Sequence, residues 1–250
     1  MRGALSIWRR HFLVWRKIAL ASLVGNFLDP LMYLLALGWG LGGLLPPISG
    51  MPYLTFLAGG MICYGAVNAA TFEGLYSTFT RMAVQRTWEG MLMAPLGLFD
   101  ILLGELLWCA AKSLLNGYAM VLVVAALGLC RDWTLLAFLP LIFVVGLAFG
   151  ALAIAMSAFS RTYDMFMYYF TLFITPMTFL CGVFFPTERL PPVLRDLATI
   201  LPLHHAVAVS RGLVAGKIIP GWEGHVLVLL AYAVLGFALA YTLAKKRFLS

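Results

Sequence analysis

The sequence predicts an all-α, polytopic membrane fold, and three observations carry that expectation. The first is a shortage of charge. Of the 250 residues, 63% are hydrophobic and 11% charged, whereas a soluble domain carries about 25% charged residues. A water-facing surface cannot be built over most of such a chain. The second is where charge is missing. No Asp, Glu, Lys or Arg occurs between Asp29 and Glu73, Asp132 and Arg161, Asp164 and Glu188, or Glu223 and Lys245, and about 20 apolar residues suffice for a spanning helix. The third is that the basic residues cluster beside these runs. The net charge of +7 therefore points to topology and anionic lipid, and nucleic acid is not an expected partner.

Residues 4–17 mix Leu5, Ile7, Trp8, Phe12, Leu13, Val14 and Trp15 with Arg9, Arg10, His11, Arg16 and Lys17. That composition predicts an amphipathic interfacial helix that does not cross. Basic residues run through it and no small-residue cleavage site follows a short apolar core, so no cleavable signal peptide is expected. Span one is expected over 18–43, interrupted by Pro30 after Asn26 and Asp29, with Pro46, Pro47 and Gly50 in the outer turn. Span two covers 53–78, with Glu73 near its inner end. A polar stretch follows, helix-compatible over 80–93 and closed by Ala94-Pro95. Span three, 101–126, contains Glu105 and Lys112, which share a face two turns apart and must sit near an end or face protein. Span four, 134–158, follows the Arg131-Asp132 turn. Residues 160–164 make a tight inner loop before span five, 165–182. The 183–220 stretch holds Pro186, Pro191, Pro192, Pro202 and Pro220, with apolar patches near 193–201 and 205–215 that are too short to span. It reads as a re-entrant hairpin or helical outer loop. Span six, 222–244, ends in Lys245-Lys246-Arg247.

Six spans put both termini on one side. That side carries Arg2, Arg9, Arg10, Arg16, Lys17, Arg81, Arg86, Arg161, Lys245, Lys246 and Arg247; the other carries Arg131, Arg189, Arg195, Arg211 and Lys217. The basic excess assigns the termini to the cytoplasm. With no internal repeat or low-complexity tail, residues 1–250 read as one domain.

The motifs exclude several activities. A P-loop needs Gly-x-x-x-x-Gly-Lys-Ser/Thr so that backbone N–H groups cradle phosphates. Here Gly216-Lys217 is followed by Ile218, and Arg211 stands where the first glycine belongs. ATP hydrolysis by this chain is not expected, and neither is a bound cofactor. Gly38, Gly40 and Gly43 match a dinucleotide fingerprint formally, but no strand precedes them, so they read as helix packing or a flexible helix end. Gly146 and Gly150 also suggest packing. His11, His204, His205 and His225 show no metal spacing, and no Gly-x-Ser-x-Gly elbow supports a hydrolase. Cys63 and Cys109 read as apolar filler. Cys130 and Cys181 cannot be paired from sequence alone.

Two sets of residues stand out as functional candidates. The 80–93 segment joins two spans and can push on both. Trp88 and Met82 would bury in a partner's groove, with Arg81, Arg86 and Glu89 pairing at its rim and Gln85 on the same stretch; the competing reading lays the helix on lipid headgroups. The second set is a translocation path of Asn26, Asp29, Glu73, Tyr168, Tyr169, Phe184 and Phe185. Asp29 either lines a cavity beside Pro30 or caps a helix restart. The aromatics are placed either to stack on sugar or acyl groups or to pack against lipid and core.

Several stretches resemble a known family. Trp8-Arg9-Arg10, Trp15-Arg16-Lys17-Ile18-Ala19-Leu20-Ala21-Ser22, Gly25-Asn26, Asp29-Pro30, Thr71-Phe72-Glu73, Arg86-Thr87-Trp88-Glu89, Asp100-Ile101 and Leu103-Gly104-Glu105 are similar to ABC-2 type exporter permeases, and among them to the nodulation branch. Gly182-Val183-Phe184-Phe185-Pro186 and Leu201-Pro202-Leu203-His204 resemble outer motifs of the wider family. The resemblance covers essentially the whole chain. It implies an interfacial N-terminal helix, six spans, a cytoplasmic coupling helix after span two, and outer re-entrant helices before span six. It implies a homodimer in the bacterial inner membrane with two copies of a P-loop ATPase, which holds the ATP and Mg. It further implies alternating-access export of a lipid-linked or acylated oligosaccharide, with polysaccharide, lipid or hydrophobic drug as alternative cargo. A membrane-embedded transferase would need convergent catalytic residues in one leaflet. A secondary transporter would need a buried acidic ion site and inverted halves. The sequence shows neither.

Overall fold

A computed structural model of the chain describes residues 2–48, 50–130 and 133–248. The side chains of Arg2, Leu23, Asn26 and Phe27, and the whole of Arg131 and Asp132, lie outside this description. Among the described residues the elements are helical: α1 Arg2–Trp15, α2 Ala19–Gly40, α3 Tyr53–Phe72, α4 Thr87–Leu92, α5 Leu98–Ala126, α6 Thr134–Phe159, α7 Asp164–Tyr169, α8 Thr175–Leu180, α9 Pro192–Ile200, α10 Pro202–Val214 and α11 Trp222–Phe248. Among the described residues four helices are long and apolar enough to cross a membrane: Tyr53–Val84, Leu98–Ala126, Thr134–Phe159 and Trp222–Phe248. The pair α9 and α10, bent by 86°, makes a fifth if the two count as one broken span. Their ranges match the two short apolar patches expected between Pro191 and Gly216.

The helix α2 runs 22 residues without a break at Pro30. Proline removes one backbone bond, and a close neighbour helix tolerates that loss. Gly65 of α3 supplies the close approach: a Cβ there would lie 3.4 Å from the Pro30 ring. Asp29 therefore caps no helix restart.

The helix α6 is central and packs on α3, α5, α10 and α11. Its two glycines make this possible. A Cβ on Gly146 would come within 2.8 Å of the Ala110 backbone, and one on Gly150 within 2.7 Å of Cys109 Cβ. Two apolar clusters fill the bundle. One, around Phe56, Phe138, Phe149 and Leu203, lies toward the Pro46-Pro47 end. The other, around Trp88, Ile101, Phe166 and Ala240, lies toward the chain termini. All four cysteines are buried and free.

The helix α1 lies along the N-terminal half of α5. Ala4, Ile7 and His11 face inward, a spacing that puts them on one helix stripe. Trp108 of α5 inserts among Trp8, His11 and Trp15, with ring centroids 5.9–6.3 Å away. Gly104 admits the approach, because a Cβ there would meet Ile7 at 2.8 Å. One turn further on, Lys112 bonds Ser22 of α2 and lies 5.3 Å above the Trp15 ring. Glu105 and Lys112 thus both face protein.

The stretch 80–93 is not the single helix expected. The chain after α3 stays helical through two π-helical stretches, Glu73–Ser77 and Thr80–Val84. It then breaks at Gln85 and Arg86, where Arg86 has φ 50°. Only Thr87–Leu92 forms a separate helix. A third π stretch, Phe170–Ile174, lies between α7 and α8. Such stretches concentrate at functional positions.

Candidate functional site

The strongest polar feature is a network at the termini end of the bundle, centred on Glu105. Its carboxylate is fully buried, which would be costly for an unpaired charge. It is answered from three segments. Arg81 Nε donates to Glu105 Oε1 at 3.0 Å, and Arg81 Nη2 donates to Oε2. Thr78 Oγ1 donates to Oε2 at 3.2 Å, and Trp88 Nε1 donates to Oε1 at 3.1 Å. His11 of α1 brings Nε2 to 3.3 Å from Oε1, within ion-pair reach but outside hydrogen-bond alignment. Arg81 Nη1 also donates to Glu73 Oε1 at 3.0 Å. One carboxylate thereby joins α1, the π-helical end of span two, α4 and α5.

This node has mechanical neighbours. The Trp88 ring packs 5.7 Å from Phe248 at the end of α11. Thr80 Oγ1 and Tyr163 Oη lie 2.7 Å apart, tying the same stretch to the loop before α7. Arg247 Nη1 donates to the Ser160 carbonyl at 2.8 Å. Beyond the node a tip projects: Val84, Gln85, Arg86, Glu89, Gly90 and Met93–Pro95 are exposed, with Met93 91% accessible.

Two sequence expectations change here. Trp88 and Met82, expected in a partner's groove, are buried in this chain itself, at 0% and 2% exposure. The indole N–H finds the Glu105 carboxylate, and Met82 joins the apolar cluster beneath. Arg81, expected at a rim, is the inner clamp on Glu105. Arg86, Glu89 and Gln85 remain on the outer surface. Glu73, placed by sequence on a translocation path, is held by Arg81. His11, Thr78 and Glu105 were missed as members of this site. Glu105 signalled itself as an intramembrane acid, but its partner Arg81 is 24 residues away in sequence, a pairing that only helix packing reveals.

A second feature is a divided cavity at the opposite end. Its outer part, about 450 Å³, is lined by Leu37, Leu41, Tyr53, Phe185 and Arg189. Its deeper part, about 220 Å³, is lined by Tyr64, Asn68, Thr175 and Thr178. Tyr33, Phe179 and Phe184 separate and face both. Tyr33 meets Tyr64 and Phe184 edge-on, with centroids 6.1 and 6.0 Å apart. Tyr64 Oη donates to Asp29 Oδ2 at 3.2 Å, and Tyr53 Oη donates to the Phe184 carbonyl at 3.2 Å. Apolar, aromatic and neutral polar surfaces thus lie side by side.

Of the path residues expected from sequence, Phe184 and Phe185 line this cavity, and Asp29 stands behind its wall, bonded to the lining residue Tyr64. Tyr168 and Tyr169 do not line it. Tyr168 is exposed on the outside. Tyr169 stacks on Phe173 and lines a separate apolar cleft against α6 and α11. Asn26 lies in α2, but its side chain is outside the description. Tyr33, Tyr64 and Asn68 were not foreseen. Tyr64 and Asn68 are one helical turn apart on span two, the only signal that could have joined them.

Comparison with known proteins bears on both features. The sequence pattern of the ABC-2 type transporter family matches residues 3–214. Nodulation protein J of Bradyrhizobium diazoefficiens is 44% identical over 244 residues, covering 98% of this chain and 93% of the relative. Nodulation protein J of Rhizobium meliloti is 43% identical over 243 residues, covering 97% and 93%. More distantly, the inner membrane transport permease YadH of Escherichia coli is 25% identical over 212 residues, covering 82% and 80%.

Proposed function

The chain belongs to the ABC-2 type transporter family, and on that premise we propose that it is the permease subunit of an exporter moving an acylated oligosaccharide across the bacterial inner membrane. Export is driven by ATP and Mg held on a separate P-loop ATPase, two copies of which engage a homodimer of this chain. The observation that carries the reading is the Glu105 node beneath the exposed 84–95 tip. A force applied at the tip passes through Trp88 and Arg81 to one carboxylate shared with α1 and α5. Small shifts in a packed network of this kind are transmitted because cores deform little.

In this reading α2 and the α7–α8 segment complete six spans, with both termini cytoplasmic. The cavity bounded by α2, α3 and α8 faces the central path between protomers. Its apolar wall at Leu37 and Leu41 suits an acyl chain. Tyr33 and Tyr64 suit sugar faces, and Asp29 and Asn68 suit hydroxyls. The resemblance to the nodulation branch supports this amphiphile over a polysaccharide, a lipid or a drug.

The test uses inside-out vesicles containing the chain and its co-purifying ATPase, with a labelled acylated chito-oligosaccharide. ATP should drive accumulation, and Tyr33→Ala with Tyr64→Ala should lower it by about tenfold while ATPase association persists. Accumulation that proceeds without ATP would overturn the export mechanism. Full accumulation by the tyrosine variant would overturn the cargo path.

A further inference from the structure

We propose a binding site for one acidic phospholipid in the leaflet opposite the termini, in a cleft formed by α6, α10 and α11. The inference needs only that the chain spans a membrane and does not rest on the export reading. The cleft, about 240 Å³, lies between Ala137 and Val144 on α6, Val209 and Leu213 on α10, and Val226 on α11. Its walls are almost wholly apolar, and its volume admits part of one acyl chain. It opens beside an exposed apolar flank, Leu136 of α6 with Leu227, Leu230 and Val234 of α11.

Its outer mouth has the chemistry of a membrane interface. Trp133 and Trp222 both line the cleft and are 57% and 40% exposed, and tryptophan settles at the level of lipid headgroups. Between these positions in sequence stands Lys217, the one charged side chain among the described residues of the lining. Among the described residues no carboxylate joins it there. A phosphate therefore finds a cation, while the ammonium of phosphatidylethanolamine finds no carboxylate among the described lining residues. That asymmetry selects an acidic headgroup such as phosphatidylglycerol.

The cation is held on a rigid support. The α10 helix ends in paired backbone bonds, Lys217 N–H to the Gly212 carbonyl at 2.8 Å and Gly216 N–H to the Leu213 carbonyl at 3.0 Å. Gly216 supplies the left-handed turn this closure requires, with φ 70°. Gly212 lets Ile219 fold back upon it, since a Cβ there would lie 2.6 Å from Ile219 Cγ2. The Lys217 backbone is thus fixed at the edge of the apolar cleft.

The experiment is native mass spectrometry of the full-length protein in detergent, titrated with phosphatidylglycerol or phosphatidylethanolamine of matched chains. The wild type should bind phosphatidylglycerol more tightly. Lys217→Gln should weaken that lipid about fivefold, to the level of phosphatidylethanolamine, whereas Lys245→Gln at the other end should leave the preference intact. Val144→Trp, filling the cleft, should weaken both lipids. Equal binding of the two lipids by the wild type would overturn the proposal. So would an unchanged preference in Lys217→Gln, a substitution of an exposed side chain that leaves the packing untouched.

Discussion

Glu105 is the residue on which the termini end of the molecule turns. A buried carboxylate is tolerated because Arg81, Thr78 and Trp88 satisfy its oxygens. Removing one partner of a buried pair costs about 3 kcal/mol or more, whereas replacing both with apolar groups is often neutral. Glu105→Gln should therefore lower the midpoint of thermal unfolding in detergent markedly, because Arg81 keeps its charge beside Glu73 alone. Combining Glu105→Gln with Arg81→Met and Glu73→Gln, which removes all three charges together, should recover much of the loss. If the triple variant is as unstable as the sum of its singles, the ion-paired node is not the clamp described. At this scale the sequence was half legible. An acid inside an apolar run is visible to any reader of the chain. The identity of its partner is not, because Arg81, His11 and Trp88 arrive from three separate segments.

Trp88 teaches a related lesson. Aromatic and basic residues interleaved on a polar stretch read as an outward-facing binding helix. The same pattern also arises when an indole turns inward to donate to a carboxylate. Amphipathic spacing identifies a face; it does not say which neighbour covers that face. Here the chain's own core covers it, and the surface left for a partner is the tip around Arg86, Glu89 and Met93.

Among the elements, the contact between α1 and α5 is one that sequence left unspecified. The aromatic stripe of α1 was legible as an interfacial helix, but its docking on Trp108 and Gly104 was not. Gly104→Val tests the docking directly. A branched side chain would collide with Ile7 and the Ala4 carbonyl, which lies 3.0 Å from the position of a Cβ. Such overpacking costs about 1–3 kcal/mol, and α1 should lift from α5 while the spans persist. Hydrogen exchange should then show faster amide exchange over 2–15 and little change over 134–159. Uniform acceleration across both would mean that α1 is not a separable unit.

The other elements divide by how local their causes are. The bent pair α9 and α10 was legible because Pro192 and Pro202 start each helix and polar residues flank it. The continuity of α2 through Pro30 was not, since it depends on Gly65 of another helix. Neither was the break at Gln85 and Arg86, because arginine carries no preference for a left-handed backbone. The two π-helical stretches preceding that break likewise leave no mark in hydrophobic periodicity. They carry Arg81 onto the face where Glu73 and Glu105 meet.

For the whole molecule, three features occupy separate places. The tip and Glu105 node lie at the termini end, the aromatic cavity at the other end beside α2 and α8, and an exposed apolar flank along α11. The central α6 joins them through close glycine contacts. Charge gaps made the membrane character legible from the start. The assembly was not legible in the same way, since exposed apolar residues on α2, such as Met32 and Trp39, and on α8, such as Phe179, are equally suited to lipid and to a second copy of the chain.

The central claim is that a separate ATPase engages the 84–95 tip. The most direct measurement replaces Met93, which is 91% accessible, with a photo-crosslinking amino acid in the full-length protein in its native membrane. The account predicts a cross-linked product containing a P-loop ATPase, and no such product from the same probe at Ile218 on the opposite end. Cross-linking of Met93 to lipid alone, or capture of the ATPase from Ile218 instead, would contradict it.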